Sequence, residues 1–196
     1  GRTAKIIAAA SLYHWNSSAV SETAALYPEM TVREIPIELS GREVNAMLEH
    51  SYEKCLGQAE HIRNIKDIQK KEAFEVLIHG RIPVMQSTQC LKKTTGHCNK
   101  TSEEIWLEDK KGRKLPVTTH CRECYNLIWQ DKPYNLIGED LTGSIPYVTR
   151  HRFDLFHMSE KEIKEMKDRY LIWQENHFMC DLQKDDTEHH WNYGIE

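Results

Sequence analysis

The segment Phe74–His79, FEVLIH, decides the fold of this chain, because it is a short apolar run typical of a buried strand. It continues directly into Gly80-Arg81 and from there into a region that contains four of the six cysteines. The segment therefore predicts a boundary between a sheet that precedes it and a cysteine-bearing insert that follows it.

Two further strand candidates, each followed by a helical pattern, precede this segment. Lys5–Leu12 (KIIAAASL) is an apolar run, and Ser17 or Ser18 can cap the helical AVSETAALY pattern after it. Arg33–Leu39 (REIPIEL) is the second candidate. Ser40, with a glutamate three residues later, forms a capping box that opens the next helix.

A last strand candidate lies around His151–Phe156, ahead of a strong helix that Ser159 can cap. Alternation of strands with helices predicts an α/β fold with a parallel sheet, either open or closed into a barrel. Four strands cannot close an eight-stranded barrel. We therefore expect about half of a TIM-like barrel, and exposed edges that invite a partner chain or self-association.

The insert after the third strand predicts a small cysteine-rich hairpin lobe. Glu104–Glu108 and Lys114–Thr118 form the two arms of the hairpin, with the turn near Gly112. A short helical stretch is expected after the sequence CRECYN. The predicted domains are residues 1–80 for the βα units of the barrel half, 81–130 for the cysteine-rich lobe, and 131–196 for the final βα unit and tail.

The cysteines of this lobe combine a C-x₇-C pair with a C-x₂-C pair, and they are Cys90, Cys98, Cys121 and Cys124. A C-x₂-C pair places two sulfurs on one tight turn, and a second pair completes a tetrahedral set of soft ligands. Such a set suits an iron–sulfur cluster or Zn²⁺. The C-x₇-C spacing is not that of a zinc finger.

Two other interpretations of these cysteines stay open. Structural disulfides are one, although the chain does not resemble a small secreted scaffold, and free thiols without a function are the other. Cys55 and Cys180 lie outside the set, and Cys55 is expected to be a buried apolar thiol.

Polar residues collect where the predicted strands end, and in parallel α/β folds function gathers at the carboxyl ends of strands. The candidate site residues are Asn16, Glu38, His79, Arg81, Arg152 and Asp154. The two arginines suit an anionic substrate group, because guanidinium is permanently charged and bidentate. His79 and Glu38 are candidates for proton transfer. Ordinary salt bridges and a hydrogen-bonded packing histidine are the alternatives.

Composition limits the class of protein. The hydrophobic share of 39% supports a core, and the formal net charge of −4 gives no basic surface for tight nonspecific binding of nucleic acid. No apolar run approaches the roughly 20 residues that cross a membrane. These features predict a cytoplasmic protein with no membrane partner.

The motifs resemble, in their order, the carboxyl-terminal half of the U32 peptidase family, the collagenase-like proteases. They are HGRIPVMQSTQC with a second cysteine after it, then LEDKKGRKLPV, then CRECYNLIW. The Asn16-Ser17 step, IPIEL, RFDLF and the closing HHWNYGIE agree, so the resemblance covers almost the whole chain. It implies a missing amino-terminal half, supplied by the same protein or by a partner chain.

The resemblance implies two kinds of activity. The family is labelled as peptidases, with metal-dependent collagen degradation claimed for some members, whereas other members bind a [4Fe–4S] cluster through four cysteines. Those members support oxygen-independent hydroxylation of RNA or of a quinone precursor, so RNA or a small aromatic molecule is the implied substrate. The chain would then be part of a larger enzyme.

The chemistry of the residues favours the second activity. A protease needs an activated nucleophile or a metal-bound water, and the chain has neither G-x-S-x-G nor H-E-x-x-H. Four thiolates form a closed site that supplies no water for attack on a peptide, but they fit a cluster that transfers electrons. Peptidase activity and a non-catalytic half with structural zinc remain the alternatives.

Overall fold

The computed structural model describes residues 6–58, 73–139, 141, 148–176 and 191. A 3₁₀-helix spans Ala10–Leu12. The strands are β1 (Ile6–Ala8), β2 (Met30–Glu34), β3 (Ala73–Gly80), β4 (Pro83–Ser87), β5 (Glu104–Glu108), β6 (Lys114–His120), β7 (Tyr125–Trp129), β8 (Tyr134–Asn135) and β9 (Val148–Phe153). The α-helices are α1 (Ser17–Leu26), α2 (Gly41–Gln58), α3 (Leu91–Thr94) and α4 (Glu160–Asn176).

Sheet A contains the parallel strands that the sequence predicts. β1 pairs with β2, β2 with β3 and β3 with β9, all in parallel orientation. The short β8 pairs antiparallel with the carboxyl end of β3. The α/β class and the parallel sheet are therefore confirmed. The strands of the described residues do not close into a barrel.

Three predicted strand boundaries are wrong. β1 ends at Ala8 rather than Leu12, because Ala10–Leu12 forms a 3₁₀-helix. Local chemistry explains the other two. β2 ends at Glu34 rather than Leu39, because Pro36 has no N–H to donate to a sheet ladder. Glu38 therefore lies in a turn and not at a strand end. β9 ends at Phe153. Beyond it, the Asp154 carboxylate accepts a hydrogen bond from the Phe156 backbone N–H at 3.0 Å, which forms a local turn in place of the ladder.

Side-chain caps fix where the long helices begin. The predicted capping box at Ser40 is present, since Glu43 Oε2 accepts from the Ser40 N–H and hydroxyl, both at 2.8 Å. Ser159 caps α4 in the same way, with Glu162 as its partner. Across the ranges given above, no helix combines the length and apolar character that a membrane span requires.

The two faces of sheet A differ in chemistry. Phe74, Val76 and Ile78 of β3 pack into a buried core with apolar residues of α1, α2 and α4. Each such side chain contributes about 1.5–3 kcal/mol when fully buried. Because side chains alternate along a strand, Glu75 of β3 and Arg152 of β9 lie on the opposite face. That face therefore carries charge, and it is the face on which a site can form.

Sheet B is antiparallel, with the strand order β4-β7-β6-β5. The predicted hairpin is its β5–β6 part, and the turn is at Gly112, whose φ of +76° suits glycine. The helical stretch expected after CRECYN is wrong, because Tyr125–Trp129 forms β7 between β4 and β6. In this segment Tyr125, Leu127 and Trp129 alternate in burial with Asn126 and Ile128, a period of two that marks a strand.

Gly80 joins the two sheets at a point of close approach. Its φ is +152°, and a Cβ atom built there would lie 2.6 Å from the Cβ of Asp154. The Asp154 N–H donates to the carbonyl oxygen of His79 at 2.8 Å, so β3 and the end of β9 are held together here. Only glycine fits this position without displacing Asp154. The junction predicted from FEVLIHGR is thus a packed contact.

Candidate functional site

An ion pair crosses the charged face of sheet A. Arg152 Nε lies 3.4 Å from Glu34 Oε1, and the second oxygen of Glu34 accepts from the Ala10 N–H at 2.8 Å. The Glu34 side chain is 13% exposed, so both of its oxygens are engaged in a largely buried setting. Glu34 thereby links the segment after β1 to β9.

Glu75 lies close to this pair and has a raised pKa. Burial is the largest cause, and the negative charge of Glu34 adds to it, while Arg152 and Arg150 oppose it. A carboxyl group in this state keeps its proton at a higher pH than a free glutamate and is suited to proton transfer. The signal was in the sequence: a glutamate between Phe74 and Val76 in a buried strand needs a partner or a function.

A pocket of about 360 Å³ opens on the charged face. Four of the six predicted site residues line it, and they are Glu38, Arg81, Arg152 and Asp154. Two aromatic side chains, Tyr13 and Trp129, also line it, together with apolar residues such as Leu77. The pocket therefore offers permanent positive charge beside flat aromatic surfaces, which suits a planar molecule with an anionic group.

The other two predicted site residues lie elsewhere. His79 is buried and lines a second pocket of about 470 Å³. Asn16 lines neither of these two pockets. It is the N-cap of α1, with its Oδ1 accepting from the Ala19 N–H at 2.8 Å, and so takes the capping role predicted for Ser17 or Ser18.

Arg81 lies between the two pockets and contributes to the lining of both. Its guanidinium donates to the backbone carbonyls of Gln130, at 3.0 Å, and Asp131. Burial lowers the pKa of Arg81, while Glu162 and Asp131 raise it. Since arginine stays charged in proteins, Arg81 keeps a fixed positive charge at the boundary of the two pockets.

His157 links sheet B to the end of sheet A, and sequence analysis missed it. Its Nδ1 lies 3.3 Å from Glu104 Oε2, and its Nε2 lies 3.4 Å from Thr118 Oγ1. Trp129 Nε1 donates to the same hydroxyl at 3.0 Å. The His157 side chain is 4% exposed, and its backbone has a φ of +58°, which is uncommon for a residue other than glycine.

His14 and Arg33 are two further polar residues that the sequence did not single out. Both side chains are buried, at 2% and 1% exposure. Burial, and then the positive charge of Arg33, lower the pKa of His14. Within the described part of the chain, neither ring nitrogen of His14 has a hydrogen-bond partner. His14 is therefore held as a neutral imidazole at ordinary pH.

The four cysteines of the insert are free thiols, carried by segments at one end of sheet B. Cys90 precedes α3 just after β4, and Cys121 and Cys124 lie in the turn between β6 and β7. β4 pairs with β7 through Ser87 and Asn126, and the Asn126 amide donates to the Gln89 carbonyl at 2.8 Å. Strand pairing therefore places the turn with Cys121 and Cys124 beside the residues that immediately precede Cys90.

The third segment, which follows Cys98, is tied to the same end. Ser102 Oγ accepts from the Cys121 N–H at 3.0 Å, and the Cys121 Sγ lies 3.1 Å from the Thr101 carbonyl. Lys92 of α3 contacts this segment as well, through Asn99, Thr101 and Glu103. Its pKa is raised, most by the Glu103 hydrogen bond and, beyond that, by the charges of Glu103, Cys121 and Cys98.

The donor set suits a thiolate-bound group in kind, because it consists of soft sulfur donors carried by separate segments at one end of a sheet. Among the described residues, no three side chains of Cys, His, Asp or Glu come together in the geometry of metal ligands. The ligand set Cys90, Cys98, Cys121 and Cys124 therefore stays a prediction. Cys180 and the Cys55 side chain lie outside the described part of the structure.

No protein-family model, no curated protein and no solved structure matches this chain.

Proposed function

We propose that this chain is the carboxyl-terminal half of a U32-family iron–sulfur enzyme that supports oxygen-independent hydroxylation of RNA or of a quinone precursor. The observation that carries the proposal is that the three segments with the four cysteines lie at one end of sheet B. That sheet also borders the pocket on the charged face of sheet A, through Trp129 of β7. A redox group at the cysteines would thus share a small sheet with the wall of a substrate pocket.

Cys90, Cys98, Cys121 and Cys124 would hold a [4Fe–4S] cluster, with zinc as the alternative. When bound, the cluster supplies one-electron transfer. The chain's own residues bind and orient the substrate. Arg81 and Arg152 would hold an anionic group through charge-assisted hydrogen bonds, while Tyr13 and Trp129 offer aromatic surface.

Proton transfer falls to the carboxyl groups that line the pocket and to Glu75, which pairs with Glu34 of the lining but does not itself line the pocket. Glu75, with its raised pKa, stands beside the Glu34–Arg152 pair, and Glu38 lines the pocket directly. Asp154 also lines it, close to the carbonyl of His79. His79 itself lies in the neighbouring pocket and would act across the boundary formed by Arg81.

The finer architecture that we propose is about half of a TIM-like barrel, completed by an amino-terminal half or a partner chain. β1 is the end strand of sheet A within the described residues, and its Ile6 and Ile7 are 40% and 47% exposed. An exposed apolar edge strand is a site for pairing with a further strand. We place the complete enzyme in the cytoplasm.

Analysis of metal and acid-labile sulfide in protein purified without oxygen tests the proposal. Iron and sulfide in equal amounts, with absorbance at about 400 nm, are expected from a [4Fe–4S] cluster. Cys121→Ser should lose the metal, and Cys55→Ser, outside the set, should retain it. Full metal retention in Cys121→Ser would refute the ligand assignment, and zinc without sulfide would favour a structural site.

Assays of the complete enzyme distinguish hydroxylation from peptidase activity. Hydroxylation of RNA or of a quinone precursor should disappear in the cysteine variants, whereas Arg81→Ala and Arg152→Ala should weaken substrate binding without loss of the cluster. Cleavage of gelatin that survives loss of the four cysteines would instead establish the peptidase.

A further inference from the structure

We propose that Lys92 is the positioning residue of the cysteine site, a buried positive charge that holds the segments of Cys98 and Cys121 together and offsets the charge of their thiolates. The inference rests on the proposed function, because it takes the four cysteines as ligands. Lys92 is not itself a ligand, but its charge would raise the affinity of the site for a metal ion.

The surroundings of Lys92 fix its ammonium group firmly. The side chain is 4% exposed, although it belongs to the short helix α3 at the surface of the lobe. Its Nζ contacts the side-chain oxygen of Asn99, the carbonyl of Thr101 at 2.7 Å, and Glu103 Oε1 at 2.5 Å. A lysine has three N–H donors, so these three acceptors satisfy all of them.

These contacts connect the cysteine segments to one another. Asn99 follows Cys98 directly in the chain, so the Lys92–Asn99 hydrogen bond places Cys98 near α3. The Thr101 carbonyl accepts from Lys92 and is also 3.1 Å from the Cys121 Sγ. Lys92 is therefore one carbonyl away from Cys121 and in direct contact with the residue next to Cys98.

Charge gives this arrangement a second role. A buried ammonium group is costly unless negative charge lies close to it. The only ion pair of Lys92 within the described residues is with Glu103, whose side chain is 43% exposed and is thus partly screened by water. Four thiolates around a divalent or cluster cation leave an excess of negative charge. Lys92 lies where that excess would form.

Binding of Co²⁺ to the reduced, metal-free protein under anaerobic conditions tests the inference, with the thiolate-to-cobalt absorbance as the readout. Lys92→Met keeps much of the side-chain volume and removes the charge, so its Kd for Co²⁺ should rise by about 10- to 100-fold. Lys92→Arg should restore most of the affinity. Lys93→Met, at the exposed next position of α3, is the control and should match the wild type.

Glu103→Gln distinguishes the effect of the Lys92 charge from the effect of its structural hydrogen bonds. The amide oxygen can still accept from Lys92, and the backbone bonds of residue 103 to Thr119 remain. Loss of the competing carboxylate leaves more of the Lys92 charge for the thiolates, so this variant should bind Co²⁺ more tightly than the wild type. A purely structural Lys92 would make it equal or weaker, and that result would overturn the inference.

Two further outcomes separate this inference from the proposed function. A wild-type protein with neither a thiolate-to-cobalt band nor bound iron and sulfide would overturn both. A normal wild-type band with unchanged Kd in Lys92→Met would overturn the role of Lys92 alone. If Lys92→Met does not fold, as judged by circular dichroism, Lys92→Arg and Glu103→Gln still decide the question.

Discussion

Sheet A and the cysteine lobe, here residues 83–129 from the start of β4 to the end of β7, hold their polar groups in different ways. In sheet A, Glu34, Glu75 and Arg152 lie on strands, and the register of the parallel ladder brings them together across β3. In the cysteine lobe, the thiols lie in turns and loops, and side-chain hydrogen bonds from residues such as Lys92 and Asn126 hold those segments.

This difference indicates which interactions stabilise each site. The charged face of sheet A depends on backbone pairing and on the buried core behind it, so it forms when the fold forms. The cysteine end depends on a few polar contacts at the surface, so a ligand can add much to its stability. The sharpest tests of this contrast therefore lie at the junction of the two regions and within each of them.

Gly80→Ala, at the junction, should have the largest effect on stability. The added Cβ would lie 2.6 Å from the Asp154 Cβ and 2.8 Å from its carbonyl oxygen, in a backbone conformation that alanine rarely adopts. We expect a loss of roughly 3 kcal/mol in the free energy of unfolding, measured in urea. Gly96→Ala is the matched control, because its φ is +75° but no atom lies within 4 Å, and it should cost only about 1 kcal/mol.

His157→Ala should have an intermediate effect and should loosen the link between the regions. The substitution removes the contacts of the ring with Glu104 and Thr118 and its edge contact with Trp129. We expect the free energy of unfolding to fall by about 2 kcal/mol. Relative to the wild type, amide hydrogen exchange should accelerate more in β6 than in β3. The exposed His97→Ala should change neither quantity. Equal acceleration in both strands would show that the two sheets unfold as one unit.

Glu75→Gln should have the smallest effect, and the size of that effect depends on pH. The folded protein binds the Glu75 proton more tightly than the unfolded chain does, because the pKa is raised by burial and by Glu34. Stability therefore falls as pH rises from the usual glutamate pKa through the raised folded value. The variant should lack this fall and gain stability relative to the wild type above that window.

The control for this pH profile is Glu108→Gln, at an exposed position of β5. Its difference in stability from the wild type should not vary over the same window. A Glu75→Gln protein that is less stable than the wild type at neutral pH would show that the glutamate is stabilised by Arg152 and Arg150 more than it is disfavoured by burial.

The sequence predicted the parts of the fold that depend on periodicity. The parallel strands, the capping box at Ser40, the helix cap at Ser159, and the hairpin with its turn at Gly112 are all present. Each depends on a local pattern: an apolar run, a serine with a glutamate three residues later, or a glycine with positive φ. Such patterns can be recognised before the tertiary contacts are known.

The parts that the sequence did not predict depend on contacts between distant segments. Glu34 was missed because Pro36 was included in a strand, which moved the expected strand end to Glu38. His157 and Lys92 acquire their partners only when β5, β6 and the segment after Cys98 come together. No spacing in the sequence marks those pairs, so a structure was needed to find them.

The insertion of the cysteine lobe between β3 and β9 has a consequence for the order of folding. β3 cannot pair with β9 until the long segment between them closes into a loop, and the entropy of that closure opposes pairing. The β5–β6 hairpin joins residues that are close in sequence, so it can form early. Sheet A, in contrast, is completed only when β9 pairs with β3. A metal bound by the cysteines would shorten the free loop, so loading the lobe should speed the completion of the parallel sheet.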